Sequence, residues 1–485
     1  MLFNSIDFAF FLPIVLLVFW ALEHRSFKWG NAWLLSASMF FYGWWDWRYL
    51  GLVFLSGGLD YLASIRIDRS LDQHTRKAWL GLSVVGNLGV LGFFKYYDFF
   101  ITAFADGFSF IGHPIEAHTL GLILPVGISF YTFQSLSYTI DVYRRDLGAS
   151  KQPIEFGSYL MFFPQLVAGP IERATNLLPQ FRRQRIFDLV NAVDGSRQML
   201  WGLFKKVVIA DQCAPIVNAA FDDPSGSSAN SLIVASVLFA FQIYGDFSGY
   251  SDIAIGCARL FGIDLMRNFA FPYFSRDIAE FWRRWHISLS TWFRDYLYIP
   301  LGGSRGNTWN RVRNTFIIFM VSGFWHGANY TFLIWGAIHV VLFIPLLIRG
   351  KNRLNTGTIA EGKWFPTLRQ LAAMVITFAL TTFAWIFFRA ADLPTAWLII
   401  SRILDGYLHA PGQLLLLPGF VSRQAPTFFI ATMLFLEWIQ RGRKHALEDL
   451  GRSLGGPLRW VLYYSILLAI LYHSGQEQTF IYFQF

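Results

Sequence analysis

Charged residues and cysteines are scarce in this chain of 485 residues. Asp, Glu, Lys and Arg make up 15% of it, against about 25% in an ordinary soluble domain. The two cysteines, Cys213 and Cys257, support neither a disulfide framework nor a thiolate metal site. The sequence also contains no GxxxxGK(S/T) phosphate loop, no HExxH and no CxxC motif. These absences disfavour a soluble enzyme, nucleotide-driven transport and zinc catalysis.

Apolar residues are correspondingly abundant, at 54% hydrophobic and 19% aromatic. A helix that crosses a bilayer needs roughly 20 largely apolar residues. Stretches near this length without Asp, Glu, Lys or Arg run from the beginning of the chain to its end, so we expect one all-α polytopic membrane domain over residues 1–485. Eight such stretches are residues 8–22, 29–45, 78–94, 117–140, 156–171, 224–245, 370–388 and 460–476.

The net charge of +9 does not indicate nucleic-acid binding. Lys and Arg occur in short clusters between apolar stretches, as at residues 66–77, 182–185 and 441–444, rather than along one basic face. Such clusters are typical of the cytoplasmic loops of membrane proteins. The positive charge therefore indicates which loops face the cytoplasm, and no nucleic-acid partner is expected.

Two apolar regions do not have the pattern of a simple span. Residues 162–170 contain two prolines and a glycine, so a regular helix there would lose backbone hydrogen bonds that lipid cannot replace. We expect this segment to be shielded by protein or to line a wet cavity. Residues 314–348 form a run of 35 without Asp, Glu, Lys or Arg, which is too long for one span and too short for two full ones. This length predicts a hairpin of short or tilted helices.

His326 is the strongest candidate for chemistry, because ionisable groups at membrane depth are costly and functional by default. It lies in the sequence SGFWHGAN (residues 322–329), where Gly323, Gly327 and Ala328 permit close approach of backbone or substrate. Apolar surroundings favour the neutral imidazole that a general base acting on a hydroxyl requires. A histidine hydrogen-bonded between two helices is the structural alternative.

Two further histidines are weaker candidates. His286, in WRRWHISLS (residues 282–290), could orient a substrate or polarise an acyl carbonyl, or be an interfacial histidine held by Ser290 one turn on. His339 follows His326 by 13 residues. The two would face nearly opposite ways unless the helix breaks between them, and His339 is expected to have a packing role.

Charged groups near these histidines could act on an anion or on a proton. Asp246 and Asp252 border an apolar run and suit either a proton or ion path or the closing of a helix end. The arginines are dense enough to attract a lipid headgroup or a phosphorylated acyl carrier, although retention of a cytoplasmic loop explains many of them. They are Arg276, Arg283, Arg284, Arg294, Arg305, Arg311 and Arg313.

Together, two motifs resemble the signature of the membrane-bound O-acyltransferase family. They are EFWRRWHISLSTWFRDYLYIPLGG (residues 280–303) and GFWHG (residues 323–327). LPVGISFYTFQ (residues 124–134), FPQLVAGPI (residues 163–171) and the closing FIYFQF (residues 480–485) are similar to the bacterial branch that serves alginate O-acetylation and teichoic-acid D-alanylation. The resemblance covers most of the chain.

The resemblance implies a fold and a set of site residues. The fold would be a ring of about eleven transmembrane helices with re-entrant helices around a central funnel. His326 matches the family's catalytic histidine and His286 its second active-site position. Trp285 and Trp325 would line an apolar wall. With these we group Arg283, Arg284 and Asn329 as substrate-binding residues.

The expected function is therefore O-acyl transfer in the bacterial inner membrane. An acetyl or similar small acyl group would move from a cytoplasmic thioester, acetyl-CoA or another acyl thioester, to an extracytoplasmic acyl-accepting partner protein and on to an envelope polysaccharide such as alginate. Membrane lipid is a further partner, and neither a tightly bound cofactor nor a metal is expected. The alternative is a polytopic transporter or flippase in which the same histidines relay protons.

Overall fold

The computed structural model describes residues 1–409, 426–475, 478, 480 and 481. All regular structure in these residues is helical, so the all-α prediction is confirmed. Residues 482–485 of the closing motif lie outside the described residues. The α-helices are α1 Ile6–Glu23, α2 Phe27–Asp46, α3 Leu50–Arg69, α4 Gln73–Phe110, α5 Ile128–Arg144, α6 Pro153–Met161, α7 Phe163–Leu166, α8 Ala174–Leu177, α9 Leu189–Leu203, α10 Asp211–Asp222, α11 Ala229–Leu260, α12 Ile278–Arg284, α13 Ile287–Phe293, α14 Thr308–His326, α15 Tyr330–Ile348, α16 Leu368–Arg389, α17 Leu393–His409, α18 Thr427–Ile439, α19 Leu450–Ser453 and α20 Gly456–His473.

Within the described part of the chain, six helical segments are long and apolar enough to cross a membrane. This finding agrees with a multi-pass membrane protein, whereas the count of about eleven spans and the central funnel remain predictions. The six segments are Ile6–Glu23, Phe27–Arg69, Gln73–Phe110, Ala229–Leu260, Tyr330–Ile348 and Leu368–Arg389.

The chain forms two compact units. Unit 1 comprises Met1–Gly195 and Ala254–Met266, and unit 2 comprises Ser196–Ile253 and Arg267–Phe485. Every candidate site residue named above belongs to unit 2. That the two units act as a single domain over residues 1–485 remains a prediction.

The apolar stretch at residues 117–140 was expected to be one span, and this expectation is wrong. The segment up to Gly127 is not helical, and α5 begins only at Ile128. Pro125 cannot donate a helical hydrogen bond, and Gly127 has the left-handed φ of 76°. A Cβ on Gly127 would lie 2.7 Å from the carbonyl oxygen of Leu166, so the close approach of these two backbones also requires glycine.

The proline-containing segment at residues 162–170 is irregular, as predicted. Helix α6 ends at Met161, α7 covers only Phe163–Leu166, and residues 162–174 are all buried. The backbone N–H of Phe163 donates to the Ser38 hydroxyl at 3.1 Å. Protein rather than lipid therefore surrounds this non-helical backbone.

A buried ion pair ties α1 to the loop before α9 within unit 1. The guanidinium of Arg185 donates to Glu23 Oε2 at 2.8 Å and to Asn31 Oδ1 at 2.6 Å. The side chains of Arg185 and Glu23 are 2% and 1% exposed. If either partner were lost, water could therefore not solvate the charge that remained.

Replacing Glu23 with glutamine is expected to destabilise the protein strongly. Breaking a buried pair from one side leaves an uncompensated charge, which costs about 3–5 kcal/mol. The thermal unfolding midpoint of the detergent-solubilised protein measures the effect. Asp46→Asn is the control, because it breaks a pair whose Arg48 is 69% exposed, and it should change the midpoint little. Equal losses in both variants would contradict this account.

In unit 2, α9 continues through a π-helical turn, Phe204–Ala210, into α10. Gly202 and Gly249 bring the chain before this turn into backbone contact with α11, since a Cβ on either would lie 2.6–2.7 Å from the other's carbonyl oxygen. The turn directs two consecutive lysines inward. Lys205 pairs with Asp252 at 2.5 Å, and Lys206 pairs with Asp246 at 2.8 Å.

The positions of Asp246 and Asp252 remove one of the two interpretations considered for them. Both lie within α11, which extends from Ala229 to Leu260, so neither closes a helix end. Their partners are the lysines of the π-helical turn. The carboxylates therefore belong to ion pairs within unit 2, of which Lys206–Asp246 is buried and Lys205–Asp252 is partly buried.

The charge-free run at residues 314–348 forms the predicted helical hairpin. Helix α14 ends at His326 and α15 begins at Tyr330, so three residues make the turn. Asn329 caps α15 by accepting a hydrogen bond from Thr331 N at 3.0 Å. This hairpin carries His326 at its bend.

Candidate active site

Glycines fix the two helices of the hairpin against each other around His326. A Cβ on Gly323 would lie 2.3 Å from the carbonyl oxygen of Phe332, and one on Gly336 would lie 2.6 Å from that of Phe319. Such distances are far below van der Waals contact, so no side chain fits at either position. The α14 backbone one turn before His326 therefore contacts α15 directly.

Aromatic rings surround the His326 side chain, which is 5% exposed. Its ring centroid lies 4.9 Å from that of Trp325, 5.1 Å from that of Trp335 and 5.2 Å from that of Phe388. All three rings meet it edge-on. The imidazole is thus held in an apolar chamber, as a desolvated general base requires.

His286 occupies the bend between α12 and α13 and is 1% exposed. Its ring centroid lies 4.7 Å from that of Phe247 and 6.1 Å from that of Trp325. Trp325 is therefore within ring contact of both candidate histidines. Burial lowers the pKa of the His286 imidazole, which lies outside the six candidate spans, so the neutral form prevails.

His339 also packs against the Trp335 ring. Its centroid lies 4.9 Å from that of Trp335, which also contacts His326. Trp282 Nε1 donates to His339 Nδ1 at 3.3 Å. Helix α14 ends at His326 and α15 begins at Tyr330, so the helix does break between the two histidines. These contacts agree with the packing role expected for His339.

Two of the proposed substrate-binding side chains are engaged within unit 2. Trp285 is 1% exposed and packs 5.0 Å from Phe269 and 5.0 Å from Trp385. Arg284 donates to Glu280 Oε1 at 2.8 Å and to the carbonyl oxygen of Gly357 at 3.2 Å. Their roles at the substrate remain predictions.

Two more of the five proposed substrate-binding residues, Arg283 and Asn329, lie at a cavity and at the hairpin bend, respectively. Arg283 donates to the carbonyl oxygens of Asn352 and Asn355 at 2.7 and 2.9 Å, and it also lines a cavity. Asn329 donates to the carbonyl oxygen of Ala391 at 2.8 Å besides capping α15. Substrate contacts for both residues likewise remain predictions.

The cavity, of about 570 Å³, lies beside the hairpin in unit 2. Its volume is in the range of small-molecule sites. Trp282, Phe293, Phe319 and Phe343 supply apolar walls, and Ser322, one turn before His326 on α14, is also in the lining. Its described lining contains no Asp or Glu but four arginines, namely Arg283, Arg294, Arg311 and Arg353. This charge suits an anionic ligand with an apolar part.

Asn268 is a site residue that the sequence did not indicate. It is fully buried, and its Oδ1 lies 3.1 Å from His286 Nδ1. Asn268 Nδ2 donates to the hydroxyl of Ser251 on α11 at 3.1 Å. Asn268 and His286 are 18 positions apart in the sequence. The loop before α12 brings them together, so no helical spacing connects them.

No group of three or more His, Cys, Asp and Glu side chains in the described ranges is arranged to hold a metal ion. The site instead consists of two buried histidines, aromatic rings and an arginine-rich cavity. The histidines can accept the proton of a hydroxyl, and the apolar walls can keep water away from it. The arginines can bind the phosphates of a ligand.

Similar proteins identify the family. The family model described as MBOAT, membrane-bound O-acyltransferase family, matches residues 144–349, which include both candidate histidines. The "Probable alginate O-acetylase AlgI" of Azotobacter vinelandii is 40% identical over 413 residues, which are 84% of this chain and 78% of that protein. The chain belongs to the membrane-bound O-acyltransferase family.

Two further relatives have names that give different acceptor polymers. The "Peptidoglycan O-acetyltransferase" of Helicobacter pylori is 36% identical over 83% of this chain and 80% of its own length. The "Teichoic acid D-alanyltransferase" of Bacillus subtilis is 28% identical over 58% of this chain and 72% of its own length. The predicted family is confirmed, and the chain is a multi-pass membrane O-acyltransferase.

Proposed function

We propose that this O-acyltransferase takes an acetyl or similar small acyl group from a cytoplasmic thioester and passes it across the inner membrane for O-acetylation of an envelope polysaccharide such as alginate. The acceptor at the outer face would be a hydroxyl on an extracytoplasmic partner protein or on the glycan. The names of relatives at 36–40% identity support an acetyl group and a polysaccharide of the envelope.

The observation that carries the proposal is the arginine-rich cavity beside the histidine hairpin. A donor such as acetyl-CoA combines phosphates with an apolar arm that ends in the thioester. Of the four lining arginines, Arg294 pairs with the neighbouring Asp295 at 2.7 Å. Arg283, Arg311 and Arg353 suit the phosphates, and the aromatic walls suit the arm. Ser322 places part of the lining one helical turn from His326.

In this mechanism His326 is the general base. One of its ring nitrogens removes the proton of the accepting hydroxyl while the hydroxyl oxygen attacks the acyl carbon. The new C–O bond forms, the C–S bond breaks, and the thiolate receives the proton from His326. The products are an ester and a free thiol, so protons and electron pairs balance. Positioned base catalysis of this kind contributes about 10²- to 10⁴-fold.

The proposal is tested with inverted membrane vesicles that carry the protein with its cytoplasmic face outward. ¹⁴C-acetyl-CoA is added to the solution outside the vesicles. Base-labile label is expected inside the vesicles, and an ionophore that collapses all ion gradients should not reduce it. A protein that transports through a histidine proton relay would lose the signal with the ionophore. Absence of luminal label with both acetyl-CoA and an acetylated carrier protein would overturn the thioester donor.

Replacing Arg311 and Arg353 together with glutamine is expected to raise the KM for acetyl-CoA at least tenfold with a smaller change in kcat. Hydrogen bonds to charged groups contribute about 1.5–3 kcal/mol each, and phosphates bind the resting donor as well as the transition state. Steady-state kinetics in the same vesicles give both constants. Arg349→Gln is the matched control, since Arg349 is exposed and outside the cavity lining. A KM unchanged from wild type in the double variant would place the donor elsewhere.

A further inference from the structure

The backbone at His286 is held in an unfavourable conformation. Its φ of 44° and ψ of 55° lie in the left-handed region, which is strained for any residue with a side chain. A conformation of this kind persists only where surrounding contacts impose it. The bend between α12 and α13 is therefore fixed by neighbouring groups.

Asn268 supplies these contacts from both its main chain and its side chain. Its carbonyl oxygen accepts from Ile287 N at 2.9 Å. Its side-chain Oδ1 accepts from Ser288 N at 3.4 Å and from the Ser288 hydroxyl at 3.0 Å. One asparagine thus engages the two residues that follow His286 as well as the imidazole itself.

These contacts determine which nitrogen of His286 carries the proton. A backbone N–H can only donate, so the Asn268 atom that Ser288 N meets is the oxygen rather than the amide nitrogen. The same oxygen lies 3.1 Å from His286 Nδ1, and two acceptors would repel at this distance. Nδ1 therefore bears the hydrogen. In the neutral imidazole the lone pair is then on Nε2.

We infer that Asn268 is a positioning residue that holds His286 as the Nδ1–H tautomer, so that Nε2 accepts a hydrogen bond or proton from the reacting group. This inference rests on the proposed function, in which His286 belongs to the active site. It changes the role expected for His286, because a nitrogen that carries a lone pair cannot polarise an acyl carbonyl by donating to it. His286 instead aligns a hydroxyl or thiol hydrogen.

The direct test is ¹⁵N NMR of histidine-labelled protein in lipid nanodiscs, with the His286 signals identified by their loss in His286→Phe. We expect a protonated resonance for Nδ1 and an unprotonated resonance for Nε2. In Asn268→Leu, which keeps the size of the side chain and removes the acceptor, the two tautomers should mix. A protonated Nε2 in the wild-type protein would overturn the inference, and this measurement does not depend on the folding of Asn268→Leu.

The functional test compares two replacements of Asn268. Asn268→Asp keeps an oxygen acceptor for Nδ1–H, whereas Asn268→Leu does not, so acetyl transfer should be at least tenfold faster in the aspartate variant than in the leucine variant. Asn314→Asp and Asn314→Leu are the matched controls, because Asn314 is equally buried and donates to the carbonyl oxygens of Leu301 and Gly303. If the Asp and Leu variants of Asn314 differ in acetyl-transfer rate by the same factor, the effect at Asn268 comes from packing and the inference fails.

The two tests distinguish this inference from the proposed function. If wild-type vesicles transfer no acetyl group but the NMR signal shows Nδ1–H, the proposed function fails and the tautomer stands. If transfer depends on His326 and the NMR signal shows Nε2–H, only the inference about Asn268 fails.

Discussion

Replacing His326 with alanine is expected to remove base-labile ester groups from the envelope and secreted glycans of the cell. In the proposed mechanism the variant lacks the general base at the bend of the hairpin, so transfer should fall by at least a hundredfold. The side chain is 5% exposed and its neighbours are rings that keep their own packing partners, so we expect the protein to reach the membrane in normal amount. Base-released acids from purified glycans, with an immunoblot of the membrane fraction, measure both quantities.

The matched control for this variant is His339→Asn, at a second buried histidine of the same hairpin. An asparagine oxygen can accept from Trp282 Nε1 as His339 Nδ1 does, so ester groups should be retained. Retained esters in His326→Ala at equal abundance would refute the catalytic assignment. Esters lost in both variants would indicate that the hairpin is merely sensitive to substitution.

Replacing Gly323 with alanine is expected to disrupt the hairpin itself. The added methyl group would lie 2.3 Å from a backbone carbonyl oxygen, and backbone cannot rotate aside as a flexible side chain can. Overpacking typically costs about 1–3 kcal/mol and more where the backbone must move. We expect the folded fraction in size-exclusion chromatography to fall sharply and acetyl transfer to fall with it.

An opposite result is expected for the control Gly89→Ala on α4. A Cβ at Gly89 meets nothing within 4 Å, so the substitution removes only the conformational freedom of a helical glycine. Gly89→Ala should therefore raise the thermal midpoint slightly. A Gly323→Ala protein as stable as wild type would contradict the close contact between α14 and α15.

Much of the fold follows from simple counts along the sequence. The hairpin of α14 and α15 was predictable because 35 residues without charge fit neither one span nor two. The irregular backbone near Pro164 was predictable because proline cannot donate. The stretch at residues 117–140 was misjudged because hydropathy does not register the left-handed Gly127 that delays α5.

The candidate site was predictable in its residues but not in its contacts. His326 and His286 could be named because of their motifs, and neither motif shows that Trp325 contacts both imidazoles. Asn268 could not be found at all, because a loop rather than a helical period brings it to His286. Contacts of this kind depend on tertiary packing, which one sequence does not display.

The π-helical turn between α9 and α10 brings together two charges that an ordinary α-helix would keep apart. A π-helical turn accommodates one more residue than an α-helical turn. Lys206 and Asp211, paired at 2.7 Å, are five positions apart. On an ordinary α-helix, residues five apart point in directions that differ by about 140°. The π-helical turn thus lets a cation and an anion of the same helical segment meet, and deleting one residue of the turn would separate Lys206 from Asp211 while leaving Lys206 its second partner, Asp246.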